Sequence, residues 1–214
     1  MTPKLKICGI TQWDQAQAIV NLGVNYLGFI QVLSSPRYCE PSTLKTLLNQ
    51  ITFPTCPPAI VGVFANSSLT ALEVTQNLIG FDVVQLHGQE TPDLCQAVKT
   101  RFPQVELWKA FRIRHASDLQ QILPYEGIID TLLLDAYHPE LLGGTGHTLD
   151  WSSLRTFQPP CPWLLAGGIT PENVGEALAQ VSPQGIDVSS GVERSPGDKD
   201  LDKVQRLIEA MRSR

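Results

Sequence analysis

Apolar residues fall along the chain in short runs, and between the runs lie longer stretches where apolar positions recur every three or four residues. The short runs read LKICG, NYLGFI, AIVGVF, DVVQLHG, ELWKAF, TLLLDA, PWLLAGG and GIDVSSG. Their length predicts strands, and because both faces are apolar it predicts strands covered on both sides, as in a parallel sheet under helices. The longer stretches, such as TQWDQAQAIVNLG, SLTALEVTQNLIG, TPDLCQAVKTRF and KDLDKVQRLIEAMRSR, predict amphipathic helices. Thr11, Ser68, Thr91 and Thr170 stand where N-caps are expected, Pro92 and Pro171 at first helical positions, and Gly23 and Gly80 at helix ends. The segment FPTCPPA, Phe53 to Ala59, predicts a rigid connector between a helix and a strand.

Strand and helix alternate eight times, at about 25–30 residues per unit, with short loops between them. No linker, low-complexity tract or shift in composition divides the chain, so residues 1–214 are expected to form one domain. Eight βα units in that length point to an α/β fold, a single (β/α)8 TIM barrel. A doubly wound open sheet would more naturally carry a glycine-rich turn after its first strand, and that turn here is CGIT.

Composition narrows the function. Hydrophobic residues make up 43% and charged residues 17% of 214, enough to bury a sizeable core. A net charge of −5 and a pI near 5.3, with no basic stripe, argue against a nucleic-acid partner. They leave room for an anionic ligand, since helix N-termini and one or two arginines bind phosphate locally. The five cysteines, Cys8, Cys39, Cys56, Cys95 and Cys161, are odd in number and form no CxxC pair. No disulfide framework and no metal site are expected, and Cys39, Cys56, Cys95 and Cys161 read as small buried hydrophobes. No run of 18 apolar residues exists, and Met1-Thr2-Pro3-Lys4 lacks the apolar centre of a signal peptide. A cytoplasmic protein with no membrane partner is expected.

In a barrel the C-terminal ends of the strands build the active site. Those ends carry Cys8, Arg37 in SSPRY, Asn66, His87, Lys109, Asp135, Gly167-Gly168 and the segment Asp187 to Gly191. Glycines before a helix in AGGITPENV and hydroxyls with a glycine in DVSSGVE suit backbone and side-chain donors around a phosphate, after the last two strands. Lys109 reads equally as a structural ion pair or a substrate contact. GGTG, Gly143 to Gly146, lacks the lysine of a nucleotide loop and reads as a flexible segment closing over the substrate.

Taken in order, KICGIT, SPRY, VGVF-N, VVQLHGQE, KAF, LLLDA with a following GGTG and DW, LAGGITPENV and DVSSGVERSPGDKD resemble the phosphoribosylanthranilate isomerases of tryptophan biosynthesis, over essentially the whole chain. The resemblance implies a (β/α)8 barrel that performs an Amadori rearrangement with no metal or organic cofactor. Its substrate would be N-(5-phospho-β-D-ribosyl)anthranilate, and its product 1-(2-carboxyphenylamino)-1-deoxyribulose 5-phosphate. It makes Cys8 the general base, Asp135 the general acid and Arg37 the partner of the anthranilate carboxylate. His87 would line the substrate, or simply close a strand end. Asp187 would meet substrate hydroxyls, or brace the phosphate loop formed by Gly167, Gly168, Ser189, Ser190 and Gly191. The chain departs from the family at Gln31, where an aromatic residue often follows GFI, and at Cys39. A monomer or a homodimer is expected.

An unperturbed cysteine titrates at about pH 8.5 and an aspartate at about 3.9, each on the wrong side of neutrality for its role. The site must shift them, or the minor forms must suffice once substrate is bound. Three rival readings stand beside the isomerase. Indole-3-glycerol-phosphate synthase would need a catalytic lysine and further N-terminal helices, where only three residues precede the first strand. A thiol hydrolase would pair Cys8 with a histidine base such as His87. A non-catalytic sugar-phosphate binder would keep the phosphate loops and tolerate loss of Cys8 and Asp135.

Overall fold

The computed structural model describes residues 3–135, 151–155 and 157–212. Every predicted strand is present: β1 Lys4–Cys8, β2 Tyr26–Ile30, β3 Ala59–Phe64, β4 Val83–Leu86, β5 Glu106–Arg112, β6 Thr131–Asp135, β7 Trp163–Ala166 and β8 Gly185–Val188. Each pairs in parallel with the next, and β8 returns to β1 through Lys4 opposite Gly185 and Lys6 opposite Asp187, closing the barrel. The (β/α)8 expectation holds.

Among the described residues, six α-helices cover the strands: α1 Trp13–Asn21, α2 Pro41–Gln50, α3 Leu69–Ile79, α4 Pro92–Arg101, α5 Val174–Gln180 and α6 Leu201–Arg212. After β5 the expected helix is replaced by a 3₁₀ segment, Ala116–Tyr125, and the residues described between β6 and β7 include a 3₁₀ turn, Trp151–Leu154. In the first of these, Pro124 lacks a backbone donor, and Asp118 turns its carboxylate back to the N–H groups of Arg114 and His115, at 2.7 and 3.0 Å. Between β8 and α6 a short antiparallel ribbon, β9 Glu193–Ser195 and β10 Asp198–Lys199, folds back in a way the hydrophobic pattern does not announce.

Two of the four expected caps are in place. Ser68 accepts from Ala71 N–H at 3.2 Å and Thr91 from Leu94 N–H at 3.3 Å, with Pro92 opening α4. Thr11 does not cap α1; its hydroxyl donates to the Gly197 carbonyl at 2.7 Å, and Gln12 stands at the cap without a side-chain bond. Thr170 and Pro171 lie in a turn ahead of α5, whose cap position is Asn173. The Thr170 hydroxyl accepts from Glu172 N–H, closing that turn instead. Gly23 and Gly80 end their helices at φ 79° and 74°, as expected. Phe53 to Pro58 is irregular. Cys56 within it is exposed, which corrects its reading as buried, and Cys161 is half-buried, whereas Cys39 and Cys95 are buried.

Alternation along each strand separates two cores. The larger lies between strands and helices and holds Ile7, Leu27, Phe29, Leu132, Leu165 and Ile186 against Ile19, Leu44, Leu72, Val98, Leu178 and Leu207. The smaller fills the barrel with Tyr26, Val61, Val83, Trp108, Leu133 and Leu164, the Tyr26 and Trp108 rings meeting edge-on at 4.8 Å. Packed side chains therefore close the barrel below, and the polar inward positions face its upper end.

Candidate active site

Over the C-terminal ends of the strands lies a cavity of about 240 Å³, lined by Cys8, Arg37, His87, Asp135, Gly167, Gly168, Asp187, Ser189, Ser190 and Gly191, whereas Asn66 and Lys109 line a second one. Ile30, Val63, Ala166 and Ile169 supply apolar wall. A larger cavity, about 760 Å³, lies to one side between the β3–β5 loops and Gln121 to Tyr125, and shares His87 with the first. Lys109 lines that one and forms a buried ion pair, tied to Glu90 at 3.1 Å and to the Gly88 carbonyl at 2.9 Å. The other acid, base and phosphate candidates belong to the smaller cavity. Gly143 to Gly146 lie outside the described residues.

Cys8 ends β1 with 6% of its surface exposed. Burial pushes its thiol up from the ordinary cysteine range, and the Lys6 ammonium beneath opposes that rise. Lys6 is wholly buried and pairs with Asp187 at 2.9 Å. Asp187 thus engages a cation as well as facing the cavity.

Asp135 ends β6, and its Oδ2 lies 3.3 Å from Nε2 of His87. On the other side of that ring, the Gln85 amide lies 3.1 Å from Nδ1. With the amide donating, Nδ1 is the acceptor and Nε2 carries the hydrogen that faces the carboxylate. The Gln85 Oε1 is buried without a hydrogen-bond partner beside the cavity, which marks a place where a ligand donor would be satisfied.

Arg37 reaches the cavity from the loop after β2, held by Glu193. Its Nε lies 2.9 Å from Oε1 and its Nη2 2.6 Å from Oε2. Glu193 also accepts from Lys199 at 2.7 Å, and Lys199 donates to the Cys8 carbonyl. Burial works against the Glu193 carboxylate, but Arg37 and Lys199 prevail and hold its carboxyl below the ordinary range. One network therefore joins the arginine, the ribbon and the strand end that carries the thiol. Gln31 braces the same loop, its amide donating to the Cys39 carbonyl at 3.1 Å.

The last two strands end in the loops expected for phosphate. Gly167 and Gly168 hold φ of 86° and 65°, and the turn after them is tied by Asn173 donating to the Gly168 carbonyl at 2.8 Å. Opposite, a 3₁₀ turn at Ser190–Val192 opens from Ser189, whose hydroxyl is buried with no partner. A buried hydroxyl without a partner, on a residue that lines the cavity, is a donor left available to a ligand. Lys6, Gln85, Glu193 and Lys199 are the side chains at the cavity, or bonded to those that line it, that sequence reasoning did not single out. The signal available for the first two was their spacing, two residues before Cys8 and two before His87, which puts them on the same strand faces. Among the described residues, no group of three or more His, Cys, Asp or Glu side chains is arranged to hold a metal ion. No described helix is long and apolar enough to cross a membrane.

Comparison with known proteins gives the family. The chain matches the family described as N-(5'phosphoribosyl)anthranilate (PRA) isomerase over residues 5–210. It is 54% identical to the N-(5'-phosphoribosyl)anthranilate isomerase of Rippkaea orientalis, covering 96% of this chain and 94% of that one. It is 53% identical to the isomerase of Trichormus variabilis, covering 99% of both. The crystal structure of phosphoribosyl anthranilate isomerase from Thermotoga maritima superposes with a TM-score of 0.88 at 31% identity, over 99% of this chain and 100% of that one. A solved isomerase in complex with reduced 1-(o-carboxyphenylamino)-1-deoxyribulose 5-phosphate gives a TM-score of 0.85 at 30% identity, with 99% and 100% coverage. With its closed eight-stranded barrel and this match from the first strand to the last helix, the chain belongs to the N-(5'-phosphoribosyl)anthranilate isomerase family of tryptophan biosynthesis.

Proposed function

We propose that Cys8 and Asp135 carry out the family's Amadori rearrangement from different walls of one cavity. The substrate N-(5-phospho-β-D-ribosyl)anthranilate lies with its phosphate between Gly167-Gly168 and Ser189-Ser190-Gly191 and its anthranilate carboxylate on Arg37. Asp135 donates a proton to the furanose ring oxygen, the bond from that oxygen to C1′ breaks, and the nitrogen lone pair forms a C1′ iminium. The His87 N–H then faces the carboxylate left behind. Cys8, as thiolate, takes the C2′ proton, and the electrons pass to the iminium to give an enolamine. Addition of a proton at C1′ and loss of the proton from the 2′-hydroxyl then convert the enolamine to the ketone 1-(2-carboxyphenylamino)-1-deoxyribulose 5-phosphate. The iminium nitrogen is itself the electron sink, so the sequence of steps calls for no cofactor.

The observation that carries this reading is that thiol, carboxyl, arginine and both glycine loops line a single cavity. The experiment is product formation by purified protein with EDTA present, repeated for Cys8→Ser and Asp135→Asn. Each substitution should lower kcat by at least about 10²-fold, the lower range for a positioned acid or base. Near-normal turnover in a folded variant removes that residue from the mechanism.

The same reading makes residues 1–214 one catalytic domain acting in the cytoplasm on a small-molecule substrate, without nucleic-acid or membrane partners. One solved relative is described as monomers generated from a dimeric isomerase, which supports a monomer or a homodimer here. Sedimentation velocity distinguishes the two.

A further inference from the structure

Lys6 lies two residues before Cys8 on the same inward face of β1, and none of its surface is exposed. Its ammonium meets Asp187 Oδ1 at 2.9 Å. Beside them, in register with Cys8 on β2, stands Gly28. A Cβ at Gly28 would sit 2.8 Å from Cys8 Sγ and 3.1 Å from Lys6 Cε. The missing side chain leaves one small gap, and the thiol and the end of the lysine chain flank it together.

A buried ion pair is weak support for a fold, since apolar residues of similar volume often serve as well. Its position under the base is what gives it meaning. The charged and titratable groups around Cys8 are Lys6 on its own strand, Asp187 on β8, Lys199 on β10, Arg37 from the loop after β2, and His87 and Asp135 across the cavity. Two of the cations are committed elsewhere. Glu193 engages both Arg37 and Lys199, and Lys199 reaches the Cys8 carbonyl rather than its sulfur. Lys6 has Asp187 as its anion and the thiol as its other neighbour.

We infer that Lys6 is a positioning residue of the reaction: its buried ammonium supplies the positive field in which Cys8 becomes a thiolate, and Asp187 keeps that ammonium charged and in place. Burial works against the charged amine, yet Asp187 and Cys8 together raise its pKa above the ordinary lysine value. For Cys8, burial pushes the thiol up, and the field of Lys6 is the largest influence opposing it, ahead of the contrary effect of Asp187. The inference rests on the reading of Cys8 as the general base.

The test is alkylation of the unliganded protein by iodoacetamide across a pH series, read on the Cys8 peptide by mass spectrometry. Exposed Cys56, on the connector before β3, serves as internal reference. In Lys6→Met the Cys8 midpoint should rise by at least about one pH unit, the lower range for loss of a close opposite charge, while Cys56 stays unchanged. The kcat of that variant should fall at neutral pH and recover as the pH is raised, a pattern that loosened packing does not produce. Should Lys6→Met fail to fold, Lys6→Met/Asp187→Asn leaves no unpaired charge buried, and its midpoint should still rise. An unmoved Cys8 midpoint in a folded variant overturns the proposal. Near-normal turnover by Cys8→Ser would instead overturn the base reading, whatever the alkylation shows.

Discussion

Replacing Arg37 by alanine should erase the preference of the site for a ligand that carries the anthranilate carboxylate. Glu193 occupies the Nε and Nη2 edge of the guanidinium, at 2.9 and 2.6 Å. The opposite edge, with the two Nη1 hydrogens and the second on Nη2, remains as an end-on fork for another carboxylate. One charge-assisted contact of this kind is worth about 1.5–3 kcal/mol, or roughly 10- to 150-fold in Kd. The fold should survive the change, because Glu193 keeps Lys199 at 2.7 Å and the Gly197 N–H at 3.2 Å. Titration calorimetry with the reduced product analogue, and with a counterpart lacking the carboxyl group, isolates the contact from general loosening of the loop. The wild type should prefer the carboxylated ligand by that factor, Arg37→Ala should bind the two alike, and Arg37→Lys should fall between. A folded Arg37→Ala protein that still discriminates would place the carboxylate elsewhere and leave Arg37 as the partner of Glu193 alone.

Inorganic phosphate or sulfate should compete with substrate. Ser189→Ala and Gly168→Val should weaken that competition, the first by removing the orphan hydroxyl and the second by straining a backbone at φ 65°. Lys99→Ala, on α4 and paired with Asp130, should leave competition unchanged, and an anion bound elsewhere with these loops free would refute the assignment. Acid stability should depend on Glu193. Its folded carboxyl is held below the ordinary range, so its contribution is complete above the unfolded value of about 4.3 and is lost as the pH falls through the folded one. Glu193→Gln should therefore flatten the acid limb of a Tm-against-pH curve, and an unchanged limb would show that the pair adds nothing.

The strands were legible because helices cover their outer faces and packed side chains fill the barrel within, which leaves nearly continuous apolar runs. Helix ends were legible only where the cap is local. Ser68 and Thr91 bond three residues ahead, as their position suggests. Thr11 has the same local signature, but its hydroxyl is taken by a carbonyl 186 residues away, and no pattern within one helix reveals that. The unit after β5 carries apolar residues at helical spacing, yet Pro124 and the inward-turned Asp118 favour the tighter 3₁₀ turn. Cys56 escapes burial because the three prolines of its connector leave neither helix nor strand to carry it inward.

The site divides along the same line. Cys8, Asp135, His87 and the glycine loops stand where strands stop, and in a closed barrel all such ends lie on one face, so their convergence follows from topology once the strands are placed. The charges that support them have no such marker. Lys6 sits inside a run that reads as apolar, and only counting by twos from Cys8 turns it inward. Glu193 and Lys199 lie in ERSPGDKD, which has the composition of a solvated loop, yet they are 7% and 0% exposed. Their burial comes from the β9–β10 ribbon folding back against Cys8 and Arg37. Their partners are distant in sequence, 156 residues for Arg37 with Glu193, 181 for Lys6 with Asp187 and 191 for Lys199 with Cys8. All three pairs join the beginning of the chain to its end, across the seam where β8 meets β1. Closure of the barrel therefore both bounds the cavity and brings the late carboxylates and the late ammonium to the early thiol and arginine. An isolated N-terminal half would carry Cys8, Lys6 and Arg37 without the groups that hold them.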